Sequence, residues 1–332
     1  MYSFLGIKYP KPMKVFKKID KPVLKPDPNT YWRSKAVFNP AVYIDKDDRI
    51  KMIYRAVGEY YRYISRLGLA VSEDGYNFRY IGNDPVMIPT DEDEWWGVED
   101  PRISLIGDKL ILTYTKWDRV KTLVGFAEVV DKGDYVEVVK LGKIVEPKND
   151  KNAVIIEVER KQILIHRPWD WGREKEPNAK PSIWCSPFKG YIGETTYSVE
   201  DSWILYKTPY HMIKSGIGPP PIKLDNNEWL VFIHIVYPPE IYLIYAMLVD
   251  KEFKKILSVT PQPILAPEHG YEWELYGDVP FVVFPTGAIV RDNEVYLYYG
   301  AGDKVVMLAK ADLSELLMVL DKYRGKVLAP PL

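Results

Sequence analysis

Six short apolar segments that end in proline punctuate this chain at nearly even intervals. They are PVLKP ending at Pro26, PVMIP at Pro89, KIVEP at Pro147, LYKTP at Pro209, PILAP at Pro267 and KVLAP at Pro330. Successive prolines lie 63, 58, 62, 58 and 63 residues apart. A period of this length restricts the chain to repeat architectures, because each unit must bury its apolar face against a neighbour. Six marks enclose five units.

Each unit opens with two apolar runs around a polar turn: AVYI-DKDDR-IKMIYR, RISLI-GDK-LILTYTKW, AVIIEV-ERK-QILIHRPW, PIKL-DNNE-WLVFIHIV and GAIV-RDNE-VYLYYG. Turn residues between β-branched and aromatic runs signal hairpins. A third run follows in every unit, and a fourth leads into the proline tag. The pattern predicts an all-β protein, a five-bladed β-propeller with four antiparallel strands per blade. Residues 1–332 then form a single domain, with blades at about 31–90, 91–148, 149–210, 211–268 and 269–330 after an N-terminal arm, 1–30. A β-sandwich does not repeat at about 60 residues. Residues 21–26 are expected to add a strand to the last blade or cover an edge. The polar insert 173–180 makes the third blade the least regular, and 313–324 has helical periodicity.

Composition limits the partners. Lysine plus arginine total 45 and aspartate plus glutamate 46, so no global field draws the chain to nucleic acid or an anionic membrane. The longest apolar stretch, 229–249, contains Pro238, Pro239 and Glu240 and reads as two strands. The lone Cys185 fits a reducing compartment, and the N-terminus lacks a signal-peptide core, so a cytoplasmic location is expected. Two glutamines and 27 prolines point toward a thermophilic source. The N-terminal arm and surface tyrosines are candidates for homo-oligomer contacts. The four histidines show no metal-ligand spacing and no cofactor motif is present.

The repeat also localises the chemistry. The start of each first strand and the end of each second strand lie on one side of a hairpin. The starts carry Asn39, Asp100, Asn152, Gly218 and Asp278; the ends carry Arg55, Lys116, Arg167, His234 and the stretch Tyr298–Asp303. Unlike polar groups from every blade thus converge on one channel mouth. Arg55, Arg102, Arg167 and Lys214 make it cationic, which suits a phosphate or carboxylate ligand. Asp118 and Asp170 read as turn formers after the second strands. Trp95 and Trp96, in the acidic loop DEDEWWG, read as exposed ligand contacts rather than core.

The runs NPAV at 39–42, IYRAVG at 53–58, ISRLGLAVSEDGYNF at 64–78, GVEDPR at 97–102, HRP at 166–168, KSGIGPPPI at 214–222 and YYGAGD at 298–303 resemble glycoside hydrolase family 130, in the family's order. The resemblance implies inverting phosphorolysis of β-1,4- or β-1,2-linked mannooligosaccharides to α-mannose 1-phosphate, with inorganic phosphate as co-substrate and no cofactor. It implies that Asp100 is the general acid, acting through a sugar hydroxyl. Asn39, Arg55 and Asp303 would hold the mannosyl unit; Asn152, Arg167, Lys214 and His234 would hold phosphate. Lys116 and Asp278 join the candidate substrate contacts by their place at the mouth. The chain departs from the family at Ile235, where glycine follows the histidine, at Lys151, and in the loop 173–180.

An inverting hydrolase needs an acid and a separate carboxylate base, whereas a phosphorylase replaces the base with phosphate. One acid beside a cationic cradle favours the phosphorylase. The alternatives are an inverting β-mannosidase with Asp278 or Asp303 as base, and a non-catalytic carbohydrate-binding propeller. An acid needs a raised pKa and a nearby cation lowers it, so Arg102 is expected to point away from Asp100 and pair with Glu99. That requires a bend at Pro101, since residues 100 and 102 share a face in a regular strand.

Overall fold

The computed structural model describes residues 2–4 and 6–326, so the tag ending at Pro330 lies outside the described residues. The chain is all-β: one nine-stranded, one five-stranded, two four-stranded sheets and one two-stranded hairpin hold mainly antiparallel strands, which fall into units along the chain. The first comprises Ala36–Ile44, Ile50–Val57, Ser65–Ser72 and Arg79–Ile81. The second comprises Gly97–Ile106, Lys109–Trp117, Thr122–Asp131 and Val136–Glu146. The third holds Asp150–Val158, Lys161–Pro168, Ile183–Pro187 and Trp203–Tyr206. In the fourth, the split first strand Lys214–Ile217 and Ile222–Lys223 precedes Trp229–Tyr237, Ile241–Val249 and Ile256–Val259. The fifth has Val283–Arg291, Glu294–Ala301, Val305–Asp312 and, from the other end of the chain, Lys17–Lys18. A single parallel bridge, Ser65 to Gly97, merges the first two units into one larger sheet.

The proline tags act as edge clips. Met87, Leu265 and Leu24 make the same isolated bridge to Leu67, Ile244 and Val306, each on the third strand of a unit. The tag at Pro26 therefore serves the last unit, not its own neighbourhood. The arm covers the last edge as expected, but its pairing extends over 17–24 rather than 21–26: Lys17 and Lys18 pair with Lys310 and Ala309. After its third strand that unit turns into the helix Leu313–Asp321, started by an Asp312 side chain that accepts from the Glu315 amide. Lys18 anchors the arm. It is buried, and its Nζ lies 2.7 Å from Glu274 Oε2 and 3.0 Å from Glu268 Oε2. In the third unit a second insert adds Gly193–Thr196 in parallel to the outer strand of the second unit. It covers another edge that would otherwise be open to pairing.

First strands are buried on both faces, which is why they read as continuous apolar runs. They pack on one another: 283–291 on 36–44, 36–44 on 97–106, 97–106 on 150–158, and 150–158 on 214–217, while 229–237 contacts 283–291. Close approach needs glycine here. A Cβ on Gly287 would sit 2.7 Å from the Pro40 carbonyl, and one on Gly218 2.8 Å from the Phe232 carbonyl.

Arg102 ties these strands at the centre. It is 1% exposed, and its Nε donates to the Gly218 carbonyl at 2.7 Å, Nη2 to Ile217 at 3.3 Å and Nη1 to the backbone of Asp100 at 3.0 Å. Arg102 thus does point away from the Asp100 carboxylate. It pairs with backbone carbonyls rather than with Glu99, correcting the expected ion pair. Burial, with Arg167 nearby, lowers its guanidinium to about 10.

Candidate active site

The same local distortion recurs in three successive units. The register between first and second strands shifts between Phe38 and Ala41, Glu99 and Arg102, and Lys151 and Val154. Within each shift one residue adopts positive φ: Asn39 at 46°, Asp100 at 51° and Asn152 at 56°. Asparagine and aspartate tolerate the left-handed region best among residues with a side chain, and a bulge re-aims that side chain. The bend that frees Arg102 thus occurs at Asp100 itself. The equivalent shift in the fifth unit falls between Pro285 and Gly287. Asp278, expected at that strand start, instead lies in the loop after the short helix Glu272–Tyr276. It still borders the site, bonded to Lys304 Nζ at 2.9 Å and Tyr63 Oη at 3.2 Å.

Register also corrects Lys116. Arg55 and Arg167 pair with Phe38 and Lys151, the residues before each bulge, whereas Glu99 pairs with Thr115. Lys116 is one residue off and so faces the other way. Its Nζ binds Asp91 Oδ2 at 2.7 Å and Glu94 Oε1 at 3.3 Å, which removes it from the substrate contacts. Asp118 and Asp170 are the turn formers the sequence suggested: Asp118 Oδ1 accepts from the amides of Val120 and Lys121 at 2.8 Å, and Asp170 binds Arg173.

A carboxylate cluster occupies one side of the mouth. Asp100 Oδ1 accepts from Asn39 Nδ2 at 2.8 Å and Arg55 Nη1 at 2.9 Å. Arg55 also donates through Nη2 to Glu99 Oε1 and through Nε to Ser65 Oγ, both at 2.7 Å. Burial raises the Asp100 carboxyl, but Arg55, Lys151 and the Asn39 hydrogen bond outweigh it and hold it below the usual range. The expectation of a raised Asp100 is therefore overturned for the free protein: two cations and an amide favour its charged form. The carboxyl raised to about 7 is Asp303, pushed up by burial and by Asp100, Glu99 and Asp278 against the pull of Arg55.

A cationic cluster occupies the other side. Arg167 is buried, makes no ion pair among the described residues, and its Nε and Nη1 have no protein partner. Nor do His234 Nδ1 and Asn152 Oδ1. His234 and Asn152 meet around Gly216, where an added Cβ would fall 2.7 Å from both Asn152 Oδ1 and His234 Nε2. Burial and Arg167 lower Lys214 to about 8, and the carboxylate of Glu240 is 3.8 Å away. Burial together with Arg167, Arg102 and Lys214 holds His234 well below its ordinary value, so it is a neutral imidazole at pH 7. Three residues that sequence reasoning missed link the two sides. Tyr242 stacks on His234 with Lys214 over its ring, Phe284 packs on His234, and Tyr63, at φ 56°, reaches Asp278. Tyr63 lies in the gap between the runs at 53–58 and 64–78, and Tyr242 and Phe284 sit in apolar strand sequence.

Fold and site define an all-β protein in which bulged first strands carry Asn39, Asp100 and Asn152 beside a carboxylate cluster around Arg55 and a cation cluster around Arg167. The family model of glycoside hydrolase family 130, described as beta-1,4-mannooligosaccharide phosphorylase, matches residues 12–322, and the chain belongs to that family. It is 32% identical over 307 residues to a 1,2-beta-oligomannan phosphorylase of Thermoanaerobacter sp. strain X514, covering 90% of this chain and 97% of that one. It is 31% identical over 304 residues to a beta-1,2-mannobiose phosphorylase of the same organism, covering 87% and 94%. Its fold resembles that of the beta-1,2-mannobiose phosphorylase from Listeria innocua, solved with beta-1,2-mannobiose. There the TM-score is 0.77 at 20% identity, covering 93% of this chain and all of the other.

Proposed function

We propose that this protein is an inverting β-mannoside phosphorylase built as a single five-bladed propeller over residues 1–332, working in the cytoplasm on oligosaccharide and inorganic phosphate. The succession of first-strand contacts, completed by 229–237 against 283–291, supports the propeller. The observation that carries the function is Arg167: a buried guanidinium with two donors lacking a protein partner, beside Lys214, His234 and Asn152. A buried cation left uncompensated is costly, and an anion in this cradle supplies both charge and acceptors. Asn39, Arg55, Asp303 and the rim residue Asp278 surround the place of the terminal mannosyl unit.

In the reaction a phosphate oxygen attacks the anomeric carbon from the cradle side. The bond from that carbon to the acceptor oxygen breaks on the opposite face. The acceptor oxygen takes a proton that Asp100 delivers through a mannosyl hydroxyl, and α-mannose 1-phosphate results. Phosphate also prepares the acid. Its negative charge offsets Arg167, Lys214 and Lys151, and this relaxes the field that keeps Asp100 ionised. Both relatives above 30% identity are named for β-1,2 linkages, so that linkage is favoured for this chain. The test is formation of α-mannose 1-phosphate from β-1,2- and β-1,4-mannobiose with phosphate present or omitted. Phosphate-dependent turnover, faster on the β-1,2 substrate, is expected; mannose release that ignores phosphate overturns the proposal. The mannosidase alternative draws on Asp303, whose raised value suits a general base near neutral pH.

A further inference from the structure

Two positions set the third unit apart from the first two. The first strands of those units carry Val37 and Val98, two residues before the bulged Asn39 and Asp100; the third carries Asp150, two before Asn152. On the second strands the matching residues are Tyr54, Tyr114 and His166, which precede Arg55, Thr115 and Arg167. All six side chains are buried. A carboxylate and an imidazole in place of valine and tyrosine cost desolvation, which hydrogen bonds must offset.

The bonds form a chain across the unit. His166 Nδ1 lies 2.6 Å from Asp150 Oδ2, and its Nε2 lies 3.0 Å from Ser186 Oγ. Ser186 Oγ is 2.7 Å from Ser202 Oγ, which donates to the Ser198 carbonyl at 2.7 Å. The His166 ring packs edge-to-face with Trp171, 5.0 Å between centroids. The chain runs from a carboxyl group to a carbonyl, and its four hydrogen bonds need four protons. The two serine hydroxyls supply two. Asp150 and His166 therefore hold two protons between them, and the pair is neutral overall.

The other carboxyl oxygen, Asp150 Oδ1, accepts from the Arg167 amide at 3.2 Å. Arg55 holds the equivalent place in the first unit, and Glu99 and Asp100 take up its guanidinium. Arg167 has no such carboxylate, and its Nε and Nη1 lack a protein partner. We propose that Asp150 and His166 are positioning residues for phosphate, a neutral buried pair that fixes the Arg167 backbone and leaves its guanidinium uncompensated for the anion. The proposal rests on the phosphate reading of the cradle. A lone Asp150 carboxylate would put a negative charge behind Arg167 and weaken phosphate; pairing with His166 cancels that charge.

The test measures initial rates with phosphate and mannobiose varied separately, in wild type, Asp150→Asn and the double variant Asp150→Val/His166→Leu, alongside thermal melts. Asparagine keeps the chain complete and neutral: its oxygen accepts from the Arg167 amide, its NH₂ donates to His166 Nδ1, and Nε2 donates to Ser186. The phosphate KM of Asp150→Asn should therefore stay within about threefold of wild type. The double variant should raise it roughly 10- to 100-fold, the range for losing a group that orients a ligand-binding residue, with the mannobiose KM unchanged. A merely structural pair would lower Tm and the active fraction, hence kcat, and leave both KM values alone. A phosphate KM unmoved in the folded double variant, or raised about tenfold or more by Asp150→Asn, overturns the proposal. If the double variant does not fold, Asp150→Asn decides alone. If wild-type turnover ignores phosphate, the phosphorylase reading fails instead. Crystal structures of the three proteins then decide the positioning: an Arg167 guanidinium displaced only in the double variant supports it, and one left in place overturns it.

Discussion

Replacing Lys214 by methionine makes the cationic cradle reveal its cost. Burial and Arg167 bring this ammonium from 10.5 to about 8. Each unit corresponds to about 1.4 kcal/mol, so holding the charge at pH 7 costs on the order of 3 kcal/mol. The side chain is 17% exposed and Glu240 lies 3.8 Å away, which leaves about 1–3 kcal/mol after solvent screening. Lys214→Met should therefore raise Tm by a few degrees in phosphate-free buffer at pH 7. The sign follows from proton counting. The native state holds fewer protons than the unfolded chain between about pH 8 and 10.5, so the wild type gains stability as pH climbs through that window. The variant's advantage is thus full below pH 8 and fades toward 10.5. Phosphate should reverse the order, because a ligand at 100 times its Kd stabilises the native wild type by about 2.7 kcal/mol. Thermal melts with and without phosphate at pH 7 and 10 provide the assay. A lower Tm for Lys214→Met without phosphate, or an equal phosphate gain in both proteins, would refute the reasoning.

Asp303→Asn should remove a carboxylate that the fold holds at about 7 against 3.8 in the open chain. Wild-type stability then falls as pH rises from about 4 to 7, so the variant's Tm advantage should be absent near pH 4 and largest near pH 8. Asp100→Asn should lower kcat by about 10²–10⁴-fold while phosphate still raises its Tm, measured by product formation and melting in parallel. Lys18→Met leaves Glu274, 0% exposed, without its cation. A loss of about 3–5 kcal/mol in urea denaturation is expected, and no change in midpoint would show that the arm does not lock the last unit.

The repeat made strand order legible because period-2 apolar runs and turn chemistry are local. Asn39, Asp100 and Asn152 were found at equivalent positions for the same reason: each precedes a run that must continue into a first strand. Lys116 was placed one residue out because phase within a strand cannot be read to one residue when both faces are buried, whereas Asp278 belongs to no strand and sits in the loop between the helix Glu272–Tyr276 and the strand Val283–Arg291. A slip of one turns a side chain to the opposite face, and the bulges that set the slip depend on packing against other units. The arm's register failed similarly, since its partner strand lies almost 300 residues away.

Sequence by itself determined the all-β class and the family, both carried by local pattern and short motifs. Tertiary structure decided the ionisation of the site residues. Arg55 serves Asp100 and Glu99 together, Arg102 bonds to carbonyls across the centre, and Asp303 rather than Asp100 carries the raised pKa. Charge states depend on burial and on distances between groups from different units, and the linear order of residues encodes neither directly.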